Sequence, residues 1–469
     1  MLNSKSFRSR ILFIALALTS TAALTGCGDD PAPAVTASAA VSPLVVPISL
    51  NTLATPKVVS GADHACRLFS DGSVKCWGLN NDGQLGQGSI TNFGDLPNQI
   101  STMNSINLGT GRYAVDLTAG AAHTCALLND GGVKCWGLNN YGQLGLGDTL
   151  NRGVNSGEMG NFLNEVALGS NRHAVSIAAG NYFNCALLDN GDVKCWGQNF
   201  VGQLGLGDVT NRGDLPGQMG DNLGATFLGT HRTAVAIAAG TYHACAILDN
   251  GTAKCWGLND SGQLGQGNTG TMFYIGVNPT DMETLNPIDF GSDRMPVAMA
   301  AGDRFSCALL DNGTVKCWGY NAYGQLGQDS NSNIGDLPNE MGNNLLSMEL
   351  GFQRTAISIT AGLGHACALL DDGSLKCWGL NSSGQLGQES TSDIGSSFGD
   401  MESLTAIDLG TGRIATAISA GFDFTCAILD NGDTKCFGGN AVGQLGQGDT
   451  AYRGYAAGQM GDNLLPIQF

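Results

Sequence analysis

Short apolar runs alternate with breaks marked by Asp, Asn and Gly along most of the chain, and one run–break–run unit returns again and again. Cys185 to Cys195, CALLDNGDVKC, shows it: apolar residues lead into Asp189, Asn190 and Gly191, and the chain returns through Val193. This pattern predicts a β-hairpin. If Asp189 to Gly191 form a type I turn with Gly191 left-handed, one bulge closes the hairpin and Leu188 faces Asp192. Counting outward by pairs then sets Cys185 opposite Cys195. A two-residue loop would leave the two out of step by one. Ahead of each hairpin lie two more strand-like runs, such as LLSMEL (Leu345 to Leu350) and TAISIT (Thr355 to Thr360), which predicts about four short strands per unit.

The first cysteines of the hairpins are Cys66, Cys125, Cys185, Cys245, Cys307, Cys367 and Cys426, in steps of 59 to 62 residues. Such a period marks a repeat array. Each has a partner ten residues on, at Cys76, Cys135, Cys195, Cys255, Cys317, Cys377 and Cys436, and only Cys27 of the fifteen is left over. Seven four-stranded units repeated radially predict an all-β, seven-bladed β-propeller. A β-helical solenoid is the competing array, but its repeats are shorter. Directly opposed cysteines fit a disulfide, each worth about 2.5 to 3 kcal/mol by loop closure. Zinc is the other use of so many cysteines, yet metal sites favour Cys-x-x-Cys spacing. For closing the ring, LLPIQF (Leu464 to Phe469) and VVPISL (Val45 to Leu50) are both candidates for the same slot.

Lys5, Arg8 and Arg10 precede an apolar run from Ile11 to Leu24, then Thr25, Gly26 and Cys27. The order is that of a secretory signal, and the run is too short for a membrane span. Leu24 to Cys27 (LTGC) resembles the lipobox of bacterial lipoproteins, which implies cleavage before Cys27 and a lipid on its sulfur. Residues 27–43, rich in Pro, Ala and Ser, are expected to be a tether, and residues 44–469 the propeller. The expected location is the bacterial cell envelope, lipid-anchored on its periplasmic or outer side. Losing residues 1–26 removes three basic and no acidic residues, taking the formal charge from −18 to about −21. That surface repels nucleic acid.

Within each unit the string AG…HTCAL…KCWGLNNYGQLG (from Ala119) resembles the repeat of the regulator of chromosome condensation family. The resemblance covers nearly everything from residue 44 onward and implies a propeller whose loops grip another protein. It says little about which partner. An exchange-factor role at a nuclear GTPase is disfavoured for a secreted acidic chain. A photoreceptor role needs a tryptophan cluster at a dimer interface, whereas Trp77, Trp136, Trp196, Trp256, Trp318 and Trp378 each sit once per repeat beside a cysteine, with Phe437 in the seventh. They are expected in the core.

No catalytic residue, metal site or cofactor is expected. His64, His123, His243 and His365 fall two residues before the first cysteine, where the other repeats hold Phe183, Phe305 and Phe424. A slot that takes either ring serves packing, since Phe carries no proton. Arg112, Arg172, Arg232, Arg294, Arg354 and Arg413 recur thirteen residues before the cysteine and are expected to pair with loop carboxylates rather than form an anion-binding ring. The lysine before each second cysteine is expected to guard an edge strand. The acidic loops at 212–222 and 335–344 lack EF-hand spacing, so Ca²⁺ is not assigned. The tripeptide Arg212–Gly213–Asp214 is an accidental join of two separately recurring dipeptides.

Positions that repeat serve the fold, and binding positions should differ between blades. Two windows differ: the pair after AG, with Tyr182, Tyr242, Arg304 and Phe422, and the residues before GQLG, with Tyr141, Phe200 and Tyr323. These seven are the candidate binding face. The expected function is a non-enzymatic, membrane-tethered scaffold that binds a protein or surface ligand. A carbohydrate-active envelope enzyme would need paired carboxylates breaking the repeat. A purely architectural envelope protein is the third possibility.

Overall fold

Each hairpin closes as its turn chemistry dictates. In the computed structural model, which describes residues 54–269 and 273–469, Leu188 N donates to Asp192 O and Gly191 N to Leu188 O, both at 2.9 Å. Gly191 is left-handed, with φ 82°. Cys185 therefore stands opposite Cys195 in the ladder. All seven pairs are disulfides, with Cα atoms 4.0 to 4.1 Å apart. The leader, Cys27, the tether and the Val45 to Leu50 run lie outside the described residues.

A blade is an antiparallel sheet running from the axis outward, as in the third repeat: inner strand Ala174–Ala179, middle strand Phe183–Leu188, outer strand Val193–Gly197. The middle strand is buried along its whole length because both of its faces lie under neighbouring blades. That is why FNCALL shows no polar alternation. Each inner strand touches those of the blades on either side, and the seventh touches the first, so the ring is closed. Ala-Gly pairs at the ends of the inner strands line a narrow axial cavity of about 70 Å³. Glycine is required there: a Cβ on Gly120 would lie 2.1 Å from His123 Cε1 and 2.5 Å from Gly180 O.

The expectation of four strands per blade is corrected. Among the described residues, six sheets have three strands, and only that of the fourth repeat gains a fourth, Tyr274–Ile275. Elsewhere the returning chain makes a single bridge to the last glycine of the outer strand, as at Gly137 and Arg152. A left-handed glycine follows the bridge in every blade, Gly153 at φ 88° and Gly276 at φ 102° among them, so pairing stops there; the fourth repeat gains its extra pair, Leu258 with Tyr274, on the other side of the bridge. The LLSMEL-type runs are not strands either. Each is an extended strap with a backbone bond to the outer strand of the hairpin that precedes it in the chain, such as Met348 N to Val315 O of the fifth repeat at 2.9 Å, and drives Leu345, Met348 and Leu350 into the core.

The apolar clusters lie between blades. One joins Leu127, Val133 and Leu144 of the second repeat to Ala174, Leu188 and Trp196 of the third. Trp196 is fully buried and its Nε1 donates to Gln143 O of the preceding repeat at 3.0 Å. The other five tryptophans do the same with their own neighbours. Burying a large apolar side chain is worth roughly 1.5 to 3 kcal/mol, so each boundary is held chiefly by this packing.

The C-terminal strap does not add a strand to the first blade. Ile467 N bonds Thr434 O at 2.8 Å within the seventh repeat, while Phe469 packs edge-on to Phe69 and Trp77 of the first, at 5.2 and 5.3 Å. Arg67, standing where other repeats have alanine, reaches Gly432 O at 2.7 Å and also Thr434.

Candidate functional site

The middle strand begins where the outer strand ends, so the turn after AG and the turn before GQLG lie at the same end of every blade. Gln198 N donating to Tyr182 O at 2.9 Å ties the two turns of one blade. The tie between blades matters more. Tyr182 of the third repeat packs edge-on to Tyr141 of the second, with ring centroids 5.4 Å apart, and Phe200 packs on Tyr141 at 5.5 Å. Arg304 of the fifth repeat pairs with Asp260 of the fourth at 3.0 Å. Ser383 of the sixth donates to Asp423 of the seventh at 3.2 Å, and Gln444 of the seventh to Asp63 of the first at 3.4 Å. The two variable windows are thus one annulus around the axial cavity, here called the mouth face.

All seven candidate residues lie on this face. Phe200 is 57% exposed and Tyr323 38%, while Tyr141, Tyr182, Tyr242 and Phe422 are half-buried. Asn181, Thr241, Leu363 and Phe422 rim the cavity itself. Tyr323 joins Tyr320, at 6.2 Å, rather than the Tyr141 cluster. Arg304 is not a free cation, since it also lies 3.8 Å from Asp303. Burial raises the carboxyls of Asp63, Asp303 and Asp423 above the usual range, and for Asp63 the nearby Asp423 raises it further. Burial likewise raises the Tyr242 hydroxyl.

The histidines are away from this surface. His64, His123, His243 and His365 are fully buried, and burial holds them at about 3, 4, 4 and 3 respectively. Each Nε2 meets a polar group of the next blade: Thr124 Oγ1, Asn184 Oδ1, Ser306 Oγ and Thr425 Oγ1, at 2.9 to 3.0 Å. Where the slot holds Phe183, Phe305 or Phe424, the facing residue is Ala244, Ala366 or Ala65, in the same apolar cluster. This matching is invisible within any single repeat. Setting each His/Phe slot beside the residue before the next repeat's first cysteine would have shown it.

The recurring arginines are structural. Arg172, Arg232, Arg294, Arg354 and Arg413 each pair with the turn aspartate of their own hairpin at 3.0 to 3.3 Å, and Arg112 with Asp130. For three of the lysines the edge-guard expectation is corrected. Lys316 is buried and its Nζ donates to Phe290 O and Gly342 O, both at 2.9 Å; Lys134 and Lys435 make the same clamp. In the acidic loops, Glu340 accepts from Gly335 N and Leu337 N at 2.8 and 2.9 Å, and Arg212 is held by Asp208. These carboxylates cap their own loops.

The regulator of chromosome condensation (RCC1) repeat is matched seven times, at residues 57–84, 114–143, 174–203, 234–263, 297–325, 356–385 and 415–444. A second pattern of the same description matches 71–127, 130–187, 190–247 and 250–309. The ultraviolet-B receptor UVR8 of Arabidopsis thaliana is 30% identical over 85% of this chain and 80% of its own length. The chain belongs to the regulator of chromosome condensation repeat family. Human E3 ubiquitin-protein ligase HERC2 is 27% identical over 75% of this chain, but this chain spans only 7% of that ligase. Among solved structures, yeast RCC1 (Prp20) bound to Kap60 superposes with a TM-score of 0.61 at 21% identity, covering 78% of this chain and 77% of that one. Prp20p alone gives 0.60 at 20% identity, covering 79% and 81%. These likenesses establish the propeller fold.

Proposed function

We propose that this propeller is a non-enzymatic scaffold that holds a protein partner on its mouth face, in an oxidising space outside the cytoplasm, tethered to a membrane through Cys27. The observation that carries the reading is the merging of the two variable windows into one annulus. Structural positions recur in nearly every blade, so the frame explains itself, whereas the positions of Tyr141, Tyr182, Phe200, Tyr242 and Tyr323 hold an aromatic ring in only some blades and yet share one surface. Aromatic side chains of this kind anchor interfaces. Seven buried disulfides support an oxidising compartment. That relatives include a receptor and a propeller solved with a bound protein is in keeping with a binding role.

An enzyme on this face is less well supported. Drug- or substrate-sized sites take roughly 300 to 1,000 Å³, against about 70 Å³ in the axial cavity, which is lined largely by Ala and Gly. The test is a pull-down from an envelope extract with the propeller, followed by calorimetry on the purified partner. Wild-type affinity in a variant lacking Tyr182, Tyr242, Arg304 and Phe422 would move the site off this face. For the anchor, Cys27→Ser should abolish lipid labelling and release the protein from membranes, and unchanged membrane association would overturn the tether.

A further inference from the structure

The mouth face is polarised around its ring. On one side Tyr141, Tyr182 and Phe200 form a continuous edge-to-face cluster, with exposed Phe200 at its outer end. Such a cluster offers a partner a rigid apolar platform that needs no ordering on binding. On the other side, at the boundary of the seventh and first blades, Asp63 and Asp423 lie close enough to act on each other, with Phe422 beside them. The groups already donating to this pair are neutral: Gln444 to Asp63 at 3.4 Å and Ser383 to Asp423 at 3.2 Å. Between the two sectors the residues after AG are the small Ala62, Ala121 and Ala122.

The charges on this annulus are Asp63, Asp82, Asp260, Asp303 and Asp423 against Arg304 alone, and Arg304 is already paired with Asp260. The whole chain carries −18. An acidic or phosphorylated segment would meet repulsion both at long range and at contact. A basic one is steered in by the field and meets two carboxyls without a local cation.

We infer that the partner offers a basic protein segment, with a Lys or Arg seated between Asp63 and Asp423 and a neighbouring aromatic or long aliphatic side chain on Tyr141, Tyr182 and Phe200. The inference rests on the mouth face being the recognition surface. The seated cation replaces the mutual repulsion of the two carboxyls with charge-assisted hydrogen bonds. The aromatic platform sets how far from that cation the apolar side chain must stand.

The test is selection of a random peptide display library on the intact protein, then affinity measurements on the synthesised winners at low and high salt. Peptides that pair Lys or Arg with an aromatic or aliphatic residue are expected. Their affinity should fall at least about tenfold in Asp63→Asn/Asp423→Asn, with a flatter salt dependence, and also in Tyr182→Ala/Phe200→Ala. Neutral or acidic winners, or full binding to the double Asn variant alongside loss in the aromatic variant, overturn the basic partner and leave the mouth face standing. Winners indifferent to both variants overturn both readings, and failure to enrich any peptide overturns the basic-segment inference. Thermal melts of each variant guard against unfolding. Asp→Asn at two carboxyls that burial already disfavours should not destabilise the fold.

Discussion

His243 Nε2 lies 2.9 Å from Ser306 Oγ, across the boundary of the fourth and fifth blades. Ser306 gives its one hydroxyl proton to Gln263 O at 2.9 Å, so the histidine must be the donor. Its proton is therefore on Nε2, and Nδ1 is buried without a partner. Four of seven boundaries are built this way and three by Phe against Ala, which makes the choice at each boundary a matched pair rather than two independent residues.

Acid should loosen the ring. The folded-state values of about 3 to 4 for the buried histidines lie below the ordinary 6.5. The unfolded chain therefore takes up protons first as pH falls. Their contribution is complete above pH 6.5 and is lost as pH falls through the interval down to about 4 and then 3, at up to about 1.4 kcal/mol per pH unit for each histidine. Asp63, Asp303 and Asp423, being raised, act in the opposite sense within the carboxylate range. Denaturant melts from pH 7 to 4 should show a steady decline; flat stability would sink the assignment.

Swapping one boundary to the other type tests the matching. Ser306→Ala alone leaves the His243 donor buried and unpaired, costing about 1 to 3 kcal/mol. Adding His243→Phe should recover much of that loss and reduce the acid slope, because Trp318 still supplies a donor to Gln263 O at 3.0 Å. The sixth boundary is a poorer choice, since Phe437 has no such donor. Additive losses in the double variant would show that the two side chains are not coupled.

Lys316→Met keeps the stem and removes the ammonium that bridges Phe290 O and Gly342 O. Hydrogen bonds from charged groups are worth about 1.5 to 3 kcal/mol, so a loss of roughly 2 kcal/mol in chemical unfolding is expected. An edge-guard role predicts unchanged stability and greater aggregation instead.

Phe200→Ala and Tyr323→Ala should change stability by under about 0.5 kcal/mol, being exposed turn substitutions. Tyr182→Ala should cost more, because Tyr182 is half-buried against Tyr141 whereas Phe200 and Tyr323 are exposed. Thermal melts of the three single variants would show this order, and the reverse order would contradict the cluster geometry.

The disulfides should resist reductant while the fold is intact, since their cysteines are at most 2% exposed and exchange requires access to sulfur. Alkylation mass shifts after brief treatment with reductant should show no propeller thiols without denaturant and fourteen with it. Ready labelling of the native protein would mean that the blades open far more often than their packing implies.

The local pattern was sufficient for the hairpins. An Asp-Asn-Gly turn and a ten-residue spacing leave one register in which Cys185 meets Cys195, and a strict period then fixes the number of blades. Those are short-range constraints, written within a few residues of where they act. The missing fourth strand was not legible, because an apolar run such as LLSMEL looks the same whether it pairs along a sheet edge or straps across it. Only the glycine turn and the neighbouring blade decide between the two. The fate of the buried Lys316 ammonium was likewise set by carbonyls from two other segments. The mouth face was legible as two lists of unmatched residues, but that Tyr141 touches Tyr182, or that Gln444 reaches Asp63 across the ring closure, follows from how one blade is set against the next. Periodicity within the chain fixes what each blade is, and packing between blades, which joins residues about sixty apart or at opposite ends of the chain, fixes which of them meet.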